Sequence, residues 1–487
     1  MTQRTYRRVA VIGAGPSGIA ATRALQQEAC FECIQVFERK DSVGGMWLLE
    51  PEPEAFQPTE TVAETPLAVP EGLAPGQAAV RMPAVPRGRP GTVTAAYNAL
   101  DTNTGARTMA FTHTPLPVVN SAASVRTLGP GNSTRPRETV VAYLEAVAAP
   151  LQELIAFHTS VERAERQADG GWVLTLRQES KAADGGDDLW WQERFDALVV
   201  ASGHFNIGQV PRLEGLQEAW RAVPGVFEHS KSFRSPDDYI GKTVVVVGGN
   251  ISAADLVEDL HMVTGRPVYI SRRHELGGLL ASCWRLPNVR QKPGIRRIRQ
   301  TAASQVTLDF TDGSSVAAVD KVIFATGYRR SYPFLPSGDG IDGIPAPETN
   351  RLAGFYQHVF CTAEPSLAVV GQVDGAISLR VFEYQAVAVA RFFAGHAAHV
   401  LPSLAEQQAW EADRLARLGP SERFHEIFPD TVAYFTWLRT FAGPPAATSK
   451  GAYELPPFEA DWTDCELEVL FAKARYWTGL VNGFGLS

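Results

Sequence analysis

The sequence has few cysteines, no long apolar run and no excess of positive charge. Five cysteines occur in 487 residues, and their odd number and irregular spacing indicate a reducing compartment. No apolar run approaches the ~20 residues that cross a bilayer, and a strand that begins by Arg8 leaves no room for a signal peptide. The formal net charge of −8 gives no support to a nucleic-acid or anionic-membrane partner. We therefore expect a cytoplasmic protein, with no nucleic acid and no membrane among its partners.

The length of the chain predicts two domains, or three, rather than one small core. Cys30 and Cys33 form a C-x-x-C, but they do not precede a helix as a redox pair would. We interpret them as small buried packing residues.

The N-terminal stretch RVAVIGAGPSGIAATRAL combines a buried strand, a glycine turn and the start of a helix. Gly13, Gly15 and Gly18 have the G-x-G-x-x-G spacing, which allows a tight turn, close approach of a pyrophosphate and close packing of helix on strand. CIQVFERK predicts the second strand and ends near Glu38, where a carboxylate can accept hydrogen bonds from ribose hydroxyls. The pattern predicts a dinucleotide site.

The same pattern returns in KTVVVVGGNISAADLVEDL, residues 242–260. The next predicted strand, PVYISRR, ends in Arg272 and Arg273 where the first module has Glu38. Arginine at this point accommodates a 2′-phosphate, so the second module is predicted to prefer NADPH over NADH. The alternative is that the two arginines are ordinary surface charges at the end of a strand.

The second turn departs from the glycine pattern at two positions. Asn250 stands where the middle glycine would be, and Ala253 stands where the third would be. Alanine is tolerated at the third position. Asparagine tolerates positive φ better than most residues, and the preceding Gly249 is available to absorb the turn.

Both modules later produce an apolar strand that runs into a small-residue turn, FDALVVASGH (195–204) and DKVIFATGY (320–328). FYQHVFCTAEPSLAVVGQ (355–372) looks like a return to the first module, so the second module is an insertion within the first. Residues 51–90 carry nine prolines, a composition that excludes a regular helix or a central strand. A long, ordered or semi-ordered loop is predicted there.

Five motifs in order resemble those of the flavin-containing monooxygenases. GAGPSG is similar to the FAD turn of that family, GGMW (44–47) to its G-G-x-W segment, and YNALDTN (97–103) to its Y-x-x-L-x-T-N segment. VPGVFEHSKSF (223–233) resembles the identifying motif F-x-G-x-x-x-H-x-x-x-F/Y, with Val223 in place of the first aromatic residue, and FATGYRRSYPFL (324–335) resembles the A-T-G-Y stretch.

The resemblance implies an α/β fold of two Rossmann-type dinucleotide-binding domains, with the NADPH domain inserted into the FAD domain. The predicted boundaries are 1–207 for the first part of the FAD-binding domain, including a Pro-rich insertion at 51–92, and 208–331 for the NADPH-binding domain. Residues 332–487 are assigned to the second part of the FAD-binding domain and a C-terminal helical region that packs against it.

The resemblance also implies the chemistry. FAD and NADPH are the cofactors, and O2 and a small-molecule amine or thioether are the substrates. FAD reduced by NADPH forms a C4a-hydroperoxyflavin with O2, and a soft nitrogen or sulfur takes the distal oxygen. A homodimer is a candidate assembly.

Asn103 is the predicted catalytic residue, because the resemblance places its uncharged amide, which both donates and accepts hydrogen bonds, near the flavin and the nicotinamide ribose. A turn-forming asparagine is the alternative. Thr102 and Trp47 are predicted to seat the flavin. His229 either couples the domains or is a structural histidine that bonds backbone across the linker. The predicted cofactor-binding residues are Gly13, Gly15, Pro16, Ser17, Gly18, Glu38, Gly45, Met46, Trp47, Thr102, Ser202, His229, Gly248, Asn250, Ser252, Asp255, Arg272 and Arg273.

Two other functions stay open at this point. The first is Baeyer–Villiger oxygenation of a ketone, although the relatives that do this usually carry Trp or Asp where this chain has Phe233. The second is a non-oxygenating flavoprotein of the NADPH oxidase type. A disulfide reductase is excluded, because the segment DSVGGMWLLE contains no cysteine where that class needs a redox pair.

Overall fold

The computed structural model describes residues 6–58, 67–86, 88–180, 186–274, 278–302, 304–335, 345, 348–375 and 377–484. The strands are β1 (Arg8–Ile12), β2 (Cys33–Phe37), β3 (Val80–Met82), β4 (Ile155–Ala156), β5 (Thr159–Arg166), β6 (Trp172–Gln178), β7 (Asp188–Phe195), β8 (Ala197–Val200), β9 (Ile207–Gly208), β10 (Phe227–His229), β11 (Val244–Val247), β12 (Val268–Ser271), β13 (Val289–Lys292), β14 (Ile295–Ala302), β15 (Gln305–Phe310), β16 (Ser315–Val319), β17 (Lys321–Phe324), β18 (Tyr328–Arg329), β19 (Phe355–Tyr356), β20 (Phe360–Cys361) and β21 (Leu367–Val369). The helices are α1 (Pro16–Glu28), α2 (Ala122–Leu128), α3 (Arg137–Ala148), α4 (Leu216–Ala222), α5 (Ile251–Leu260), α6 (Ser378–Ala394), α7 (Leu404–Leu418), α8 (Thr431–Ala442) and α9 (Trp462–Gly483).

The first sheet has the order β19-β20-β21-β8-β1-β2-β4, and its central strands run parallel. These strands are buried on both faces, as expected of apolar runs such as VAVI in β1. On one face, α1, α6 and α8 enclose a core that includes Ile19, Val389 and Phe435. On the other face, strands of the antiparallel sheet β3-β7-β6-β5 contribute Trp172 and Phe195.

The second sheet has the order β10-β17-β11-β12-β13 and is parallel throughout. All of its strands lie between residues 227 and 324, whereas the strands of the first sheet lie before residue 201 and after residue 354. The fold class is therefore confirmed as α/β, with one Rossmann-type module inserted into another.

The Pro-rich segment contains one piece of regular structure among its described residues. Val80–Met82 form β3, which pairs antiparallel with β7 at the edge of its sheet. Proline is compatible with an edge strand, because one side of such a strand has no partner that needs its N–H groups.

The C-terminal region differs from the expectation that it packs against the first domain alone. Trp462, at the start of α9, lies in the core of the first module. Trp477, near the other end of the same helix, lies in the core of the second module with Cys283 and Trp284. Among the described residues, no helix is both long and apolar enough to cross a membrane.

Candidate active site

The glycine turn of the first module lies on the wall of a cavity of about 1670 Å³. Gly13 has φ +100°, and a Cβ there would lie 2.8 Å from the carbonyl oxygen of Ala201. A Cβ on Gly18 would lie 1.9 Å from the carbonyl oxygen of Gly13, so only glycine allows α1 to start this close to β1. Pro16 is the first residue of α1, where its missing N–H has no intrahelical partner to lose.

The structure brings many of the predicted site residues together on this cavity wall. Those that line it are Gly13, Gly15, Pro16, Ser17, Glu38, Gly45, Met46, Trp47, Asn103, Ser202 and Asp255. The remaining predicted residues lie outside its lining, namely Gly18, Thr102, His229, Gly248, Asn250, Ser252, Arg272 and Arg273. The first module and the segments after it therefore build this cavity, and Asp255 is the predicted residue of the second module that reaches it.

The residues of the wall fit a bound dinucleotide. Glu38 is buried and accepts hydrogen bonds from the backbone N–H of Ala14 at 2.6 Å and of Lys40 at 2.9 Å. Each carboxylate oxygen keeps a lone pair for a ribose hydroxyl. The hydroxyl of Ser202 is buried on the wall with no hydrogen-bond partner in the described part of the chain, and a buried hydroxyl is rarely left unpaired. A ligand with polar groups would satisfy it.

The loop that carries Asn103 is held from behind. Thr102 donates its backbone N–H to the carbonyl of Arg135 at 2.9 Å, and its hydroxyl accepts the backbone N–H of Arg135 at 3.0 Å. The Thr102 hydroxyl is therefore committed to the loop rather than to the cavity. Asn103 is exposed on the cavity wall, and its amide has no hydrogen bond to any described residue.

The second glycine turn keeps the shape of the first with different residues. Gly248 has φ +146°, and a Cβ there would lie 2.2 Å from the carbonyl oxygen of Ala325. Asn250 has φ −110°, so the turn forms without a positive φ at this residue. Its side chain instead accepts the backbone N–H of Ile251 at 2.9 Å and caps the start of α5. Ala253 is buried in the second core.

The two arginines after β12 differ in their surroundings. The guanidinium of Arg272 lies over the ring of Trp284, 5.0 Å from its centroid, and donates to Gln291 at 2.5 Å. Arg273 is exposed. The structure therefore gives Arg272 a packed, ordered position and leaves the guanidinium of Arg273 open to solvent.

His229 links the identifying motif to the turn after β17. Its Nδ1 accepts the backbone N–H of Lys231 at 3.1 Å, so in the neutral ring Nε2 carries the proton and donates to the carbonyl of Gly327 at 3.0 Å. Burial, together with the charge of Lys231, lowers the pKa of His229 to about 3. A Cβ on Gly208 would lie 2.7 Å from the imidazole. Both ring nitrogens of His229 are therefore bonded to backbone groups.

Residues 50–56, which we call the strap, tie the Pro-rich segment to the identifying motif. Lys231 is 2% exposed and donates to Glu54 at 2.6 Å and to the carbonyl of Asn206 at 2.5 Å. The hydroxyl of Ser232 donates to the backbone carbonyl of Glu54 at 2.9 Å, and Arg234 donates to the carbonyl of Glu50 at 2.9 Å.

The far end of the strap enters the second module. The ring of Phe56 stacks on Phe324 of β17 with a centroid distance of 5.6 Å. The indole N–H of Trp220 donates to the backbone carbonyl of Phe56 at 3.2 Å. Glu50 and Pro51, at the near end, line the cavity. The strap therefore connects the cavity wall to the inserted module.

Sequence reasoning missed a charged group on the cavity wall after β21. Asp374 lies 3.3 Å from Nε2 of His204 and also pairs with Arg330. Burial opposes its ionisation, but the neighbouring His204 ring and the charge of Arg330 hold the pKa of Asp374 well below its usual range. The signal that could have found it is LAVVGQVDG (367–375), in which the apolar strand β21 runs into a small-residue turn, as the two predicted glycine turns do.

The cysteines take no part in the cavity. None of the described residues that line it is a cysteine. Cys30 is exposed and Cys33 is partly exposed, so the expectation that both are buried is wrong. Cys30 lies just before β2, and Cys33 is the first residue of that strand. The sequence pattern did not show that this end of the strand lies at the surface rather than in the core.

Comparison with known proteins agrees with this arrangement. A family described as "Pyridine nucleotide-disulphide oxidoreductase" matches residues 91–352, and a family described as "Flavin-binding monooxygenase-like" matches residues 280–443. The flavin-containing monooxygenase FMO GS-OX3 of Arabidopsis thaliana is 30% identical over 459 residues, which cover 91% of this chain and 86% of the relative. The flavin-containing monooxygenase iboF of Amanita muscaria is 27% identical over 439 residues, with 80% and 79% covered.

Solved structures give the same fold. The S-allyl-L-cysteine S-oxygenase from Allium sativum superposes with a TM-score of 0.71 at 23% identity and covers 99% of this chain and 98% of its own. Tmm from Pelagibacter sp. superposes with a TM-score of 0.64 at 20% identity, with 89% and 85% covered. The chain belongs to the flavin-containing monooxygenase family, and its cofactors are FAD and NADPH.

Proposed function

We propose that this protein uses NADPH and O2 to oxygenate an amine nitrogen or a thioether sulfur of a small molecule. The observation that carries the proposal is the position of Asn103. Its amide is exposed on the same cavity wall as Gly45, Met46 and Trp47 and has no hydrogen bond to any described residue. An uncharged group that can donate and accept is therefore left free on the wall where the flavin segment lies.

The residues of the cavity bind the cofactors and exclude water from the reacting atoms, and they do not act as acid–base catalysts. FAD, when bound, supplies the capacity to accept a hydride from NADPH and to activate O2. Gly13 and Gly15 let a pyrophosphate approach the backbone, and Glu38 is available to the ribose. Apolar wall residues, among them Leu379 and Phe382 on α6, would exclude water from the reacting atoms. Asn103 would orient oxygen and nicotinamide by hydrogen bonds without adding a charge.

A preference for NADPH over NADH is part of the proposal. Arg272 and Arg273 follow β12, at the end of the strand where a 2′-phosphate would lie. A charge-assisted hydrogen bond to phosphate contributes about 1.5–3 kcal/mol. We propose the corresponding division of the chain, with residues 208–331 as the NADPH-binding domain and residues 1–207 and 332–487 as the FAD-binding domain. The assignment of every strand of the second sheet to residues 227–324 supports it.

Baeyer–Villiger oxygenation and an NADPH oxidase activity are the alternatives. Phe233 is buried, with its ring 5.3 Å from Tyr97 and 5.6 Å from Tyr239. A Trp or an Asp in this position would have to replace that aromatic packing, which favours the N- or S-oxygenating group. The free amide of Asn103 argues against a site that has lost its oxygenating function.

A substrate panel tests the proposal. The purified protein is expected to be yellow, to contain FAD and to consume NADPH faster when an amine or a thioether is added. S-allyl-L-cysteine, the compound in the name of the Allium relative, is the first thioether to try, beside tertiary amines and cyclic ketones. An ester from a ketone would favour the Baeyer–Villiger alternative. Peroxide equal to the NADPH consumed, with no product from any compound, would favour the oxidase.

A further inference from the structure

Helix α9 carries two charged residues on the face that it turns toward the protein. Glu466 and Lys473 are seven residues apart, which places them two turns apart on the same face of the helix. Trp477, one turn beyond Lys473, is buried in the core of the second module. One helix therefore contacts both modules through a single face.

The first half of α9 holds the Asn103 loop. Glu466 accepts hydrogen bonds from the hydroxyls of Thr108 at 2.9 Å and Ser378 at 2.8 Å. A Cβ on Gly105 would lie 1.9 Å from the carbonyl oxygen of Cys465, so the loop is pressed directly on the helix backbone. The position of Asn103 thus depends on α9.

The second half of α9 holds the helix that follows the second glycine turn. Nζ of Lys473 lies 2.8 Å from Asp255 and 3.1 Å from Glu258, both on α5. The three side chains are mostly buried, with 19% of Lys473, 22% of Asp255 and 16% of Glu258 exposed. Asp255 also lines the cavity, so this ion pair lies between α9 and the cavity wall.

We infer that Lys473 is a positioning residue that holds α5, and with it the turn at Gly248–Asn250, in place for the nicotinamide cofactor. The inference rests on the proposed use of NADPH. Since α5 begins at Ile251, directly after that turn, a shift of α5 moves the backbone N–H groups that a pyrophosphate would contact. Lys473 acts through α5 and does not itself need to touch the cofactor.

The charges around Lys473 explain why α5 depends on it. Asp255, Glu258 and Asp259 are neighbours on α5, and Lys473 offsets their mutual repulsion. Burial, and then the charges of Asp255 and Glu258, raise the pKa of Asp259 to about 7. The other titratable or charged groups that act on this cluster are Tyr97, Asp101, Arg272, Cys283 and Tyr476. Without Lys473 the carboxylates would repel each other most when all are ionised, at high pH.

Binding of NADP⁺ to the FAD-loaded protein tests the inference by calorimetry. Lys473→Met is expected to raise the Kd for NADP⁺ about tenfold at pH 8 and about threefold at pH 6, because protonated carboxylates repel less. Lys473→Arg keeps the charge and should stay within about twofold of wild type. FAD content, read from the absorbance spectrum, should not change in either variant.

Two controls separate positioning from general stability. Arg475→Met removes an exposed cation from the same helix and should leave the Kd unchanged at both pH values. Val469→Ala removes buried packing from α9 and should lower the thermal midpoint without changing the Kd. If Lys473→Met does not fold, Lys473→Gln also removes the charge, keeps a polar side chain and should raise the Kd about tenfold at pH 8.

Three outcomes would overturn the inference. Wild-type affinity of Lys473→Met at both pH values, or of Lys473→Gln where that variant is used, refutes the role of Lys473. An equal loss of affinity in Val469→Ala shows that α9 acts through stability alone. A wild-type protein that takes up FAD but binds no NADP⁺ refutes the proposed function, and the inference with it.

Discussion

The ion pair between Glu54 and Lys231 gives the sharpest mutational test of how the strap joins the two modules. Lys231 is 2% exposed, and the side chain of Glu54 is 16% exposed. Glu54→Gln keeps the size of the side chain but removes the carboxylate that pairs with the ammonium of Lys231, which keeps the Asn206 carbonyl as a partner. Removing one partner of a fully buried pair destabilises by about 3–5 kcal/mol. Because Glu54 is partly exposed and the hydrogen bond of Lys231 to the Asn206 carbonyl remains, we expect a loss of about 2 kcal/mol in the free energy of unfolding.

Thermal unfolding followed by the release of FAD fluorescence measures this effect. A loss of about 2 kcal/mol should lower the midpoint by about 2–3 °C, because an unfolding entropy of about 2.1 cal/mol/K per residue is summed over the roughly 360 residues of the FAD-binding domain. Glu52→Gln is the matched control, since Glu52 lies two residues away in the same strap and is exposed. We also expect Glu54→Gln to release more hydrogen peroxide per NADPH, because the near end of the strap lines the cavity. Equal midpoints and equal peroxide yields for the two variants would refute the reasoning.

Three further predictions concern the site and its two modules. Asn103→Asp should keep FAD but lower the product formed per NADPH about a hundredfold, since a carboxylate replaces the free amide. Asn98→Asp, on the same loop but outside the cavity, should give the wild-type product yield. Equal yields from the two variants would remove Asn103 from the mechanism. Arg273→Ala should raise the KM for NADPH about tenfold and leave that for NADH unchanged, whereas Arg296→Ala should change neither; equal effects on both cofactors would make Arg273 a surface charge. Because the pKa of His229 is lowered to about 3, unfolding takes up a proton below about pH 6.5, so the contribution of His229 to the free energy of unfolding falls as the pH drops. His229→Gln should therefore lower the thermal midpoint at pH 7.5 and flatten its decline toward pH 5, and an unchanged slope would contradict this.

The features that sequence alone could predict are those set by local rules. The two glycine turns follow buried strands, and the steric limits at Gly13, Gly18 and Gly248 require glycine wherever a strand turns this tightly into a helix. The return of the chain to the first sheet could also be predicted, because strands buried on both faces are nearly continuous runs of apolar residues. These rules gave the fold class and much of the cavity wall.

The features that the sequence could not predict depend on long-range contacts. Glu54 and Lys231 are 177 positions apart, and the composition of the two segments does not indicate that these residues pair. The bridging position of α9 was missed for the same reason, since its apolar face is equally suited to either module. The capping role of Asn250 was not predicted, although asparagine is among the residues preferred directly before a helix.

Transfer of labelled oxygen tests the central proposal most directly. The FAD-loaded protein is supplied with NADPH, ¹⁸O2 and the best amine or thioether of the panel. Mass spectrometry then measures the amount of product and its ¹⁸O content, and the amount of product is compared with the amount of NADPH consumed. We predict one ¹⁸O atom in the product for each NADPH oxidised, and loss of that product in Asn103→Asp. Unlabelled product, or NADPH oxidation that yields only hydrogen peroxide with every compound tested, would contradict the assignment of this protein as an N- or S-monooxygenase.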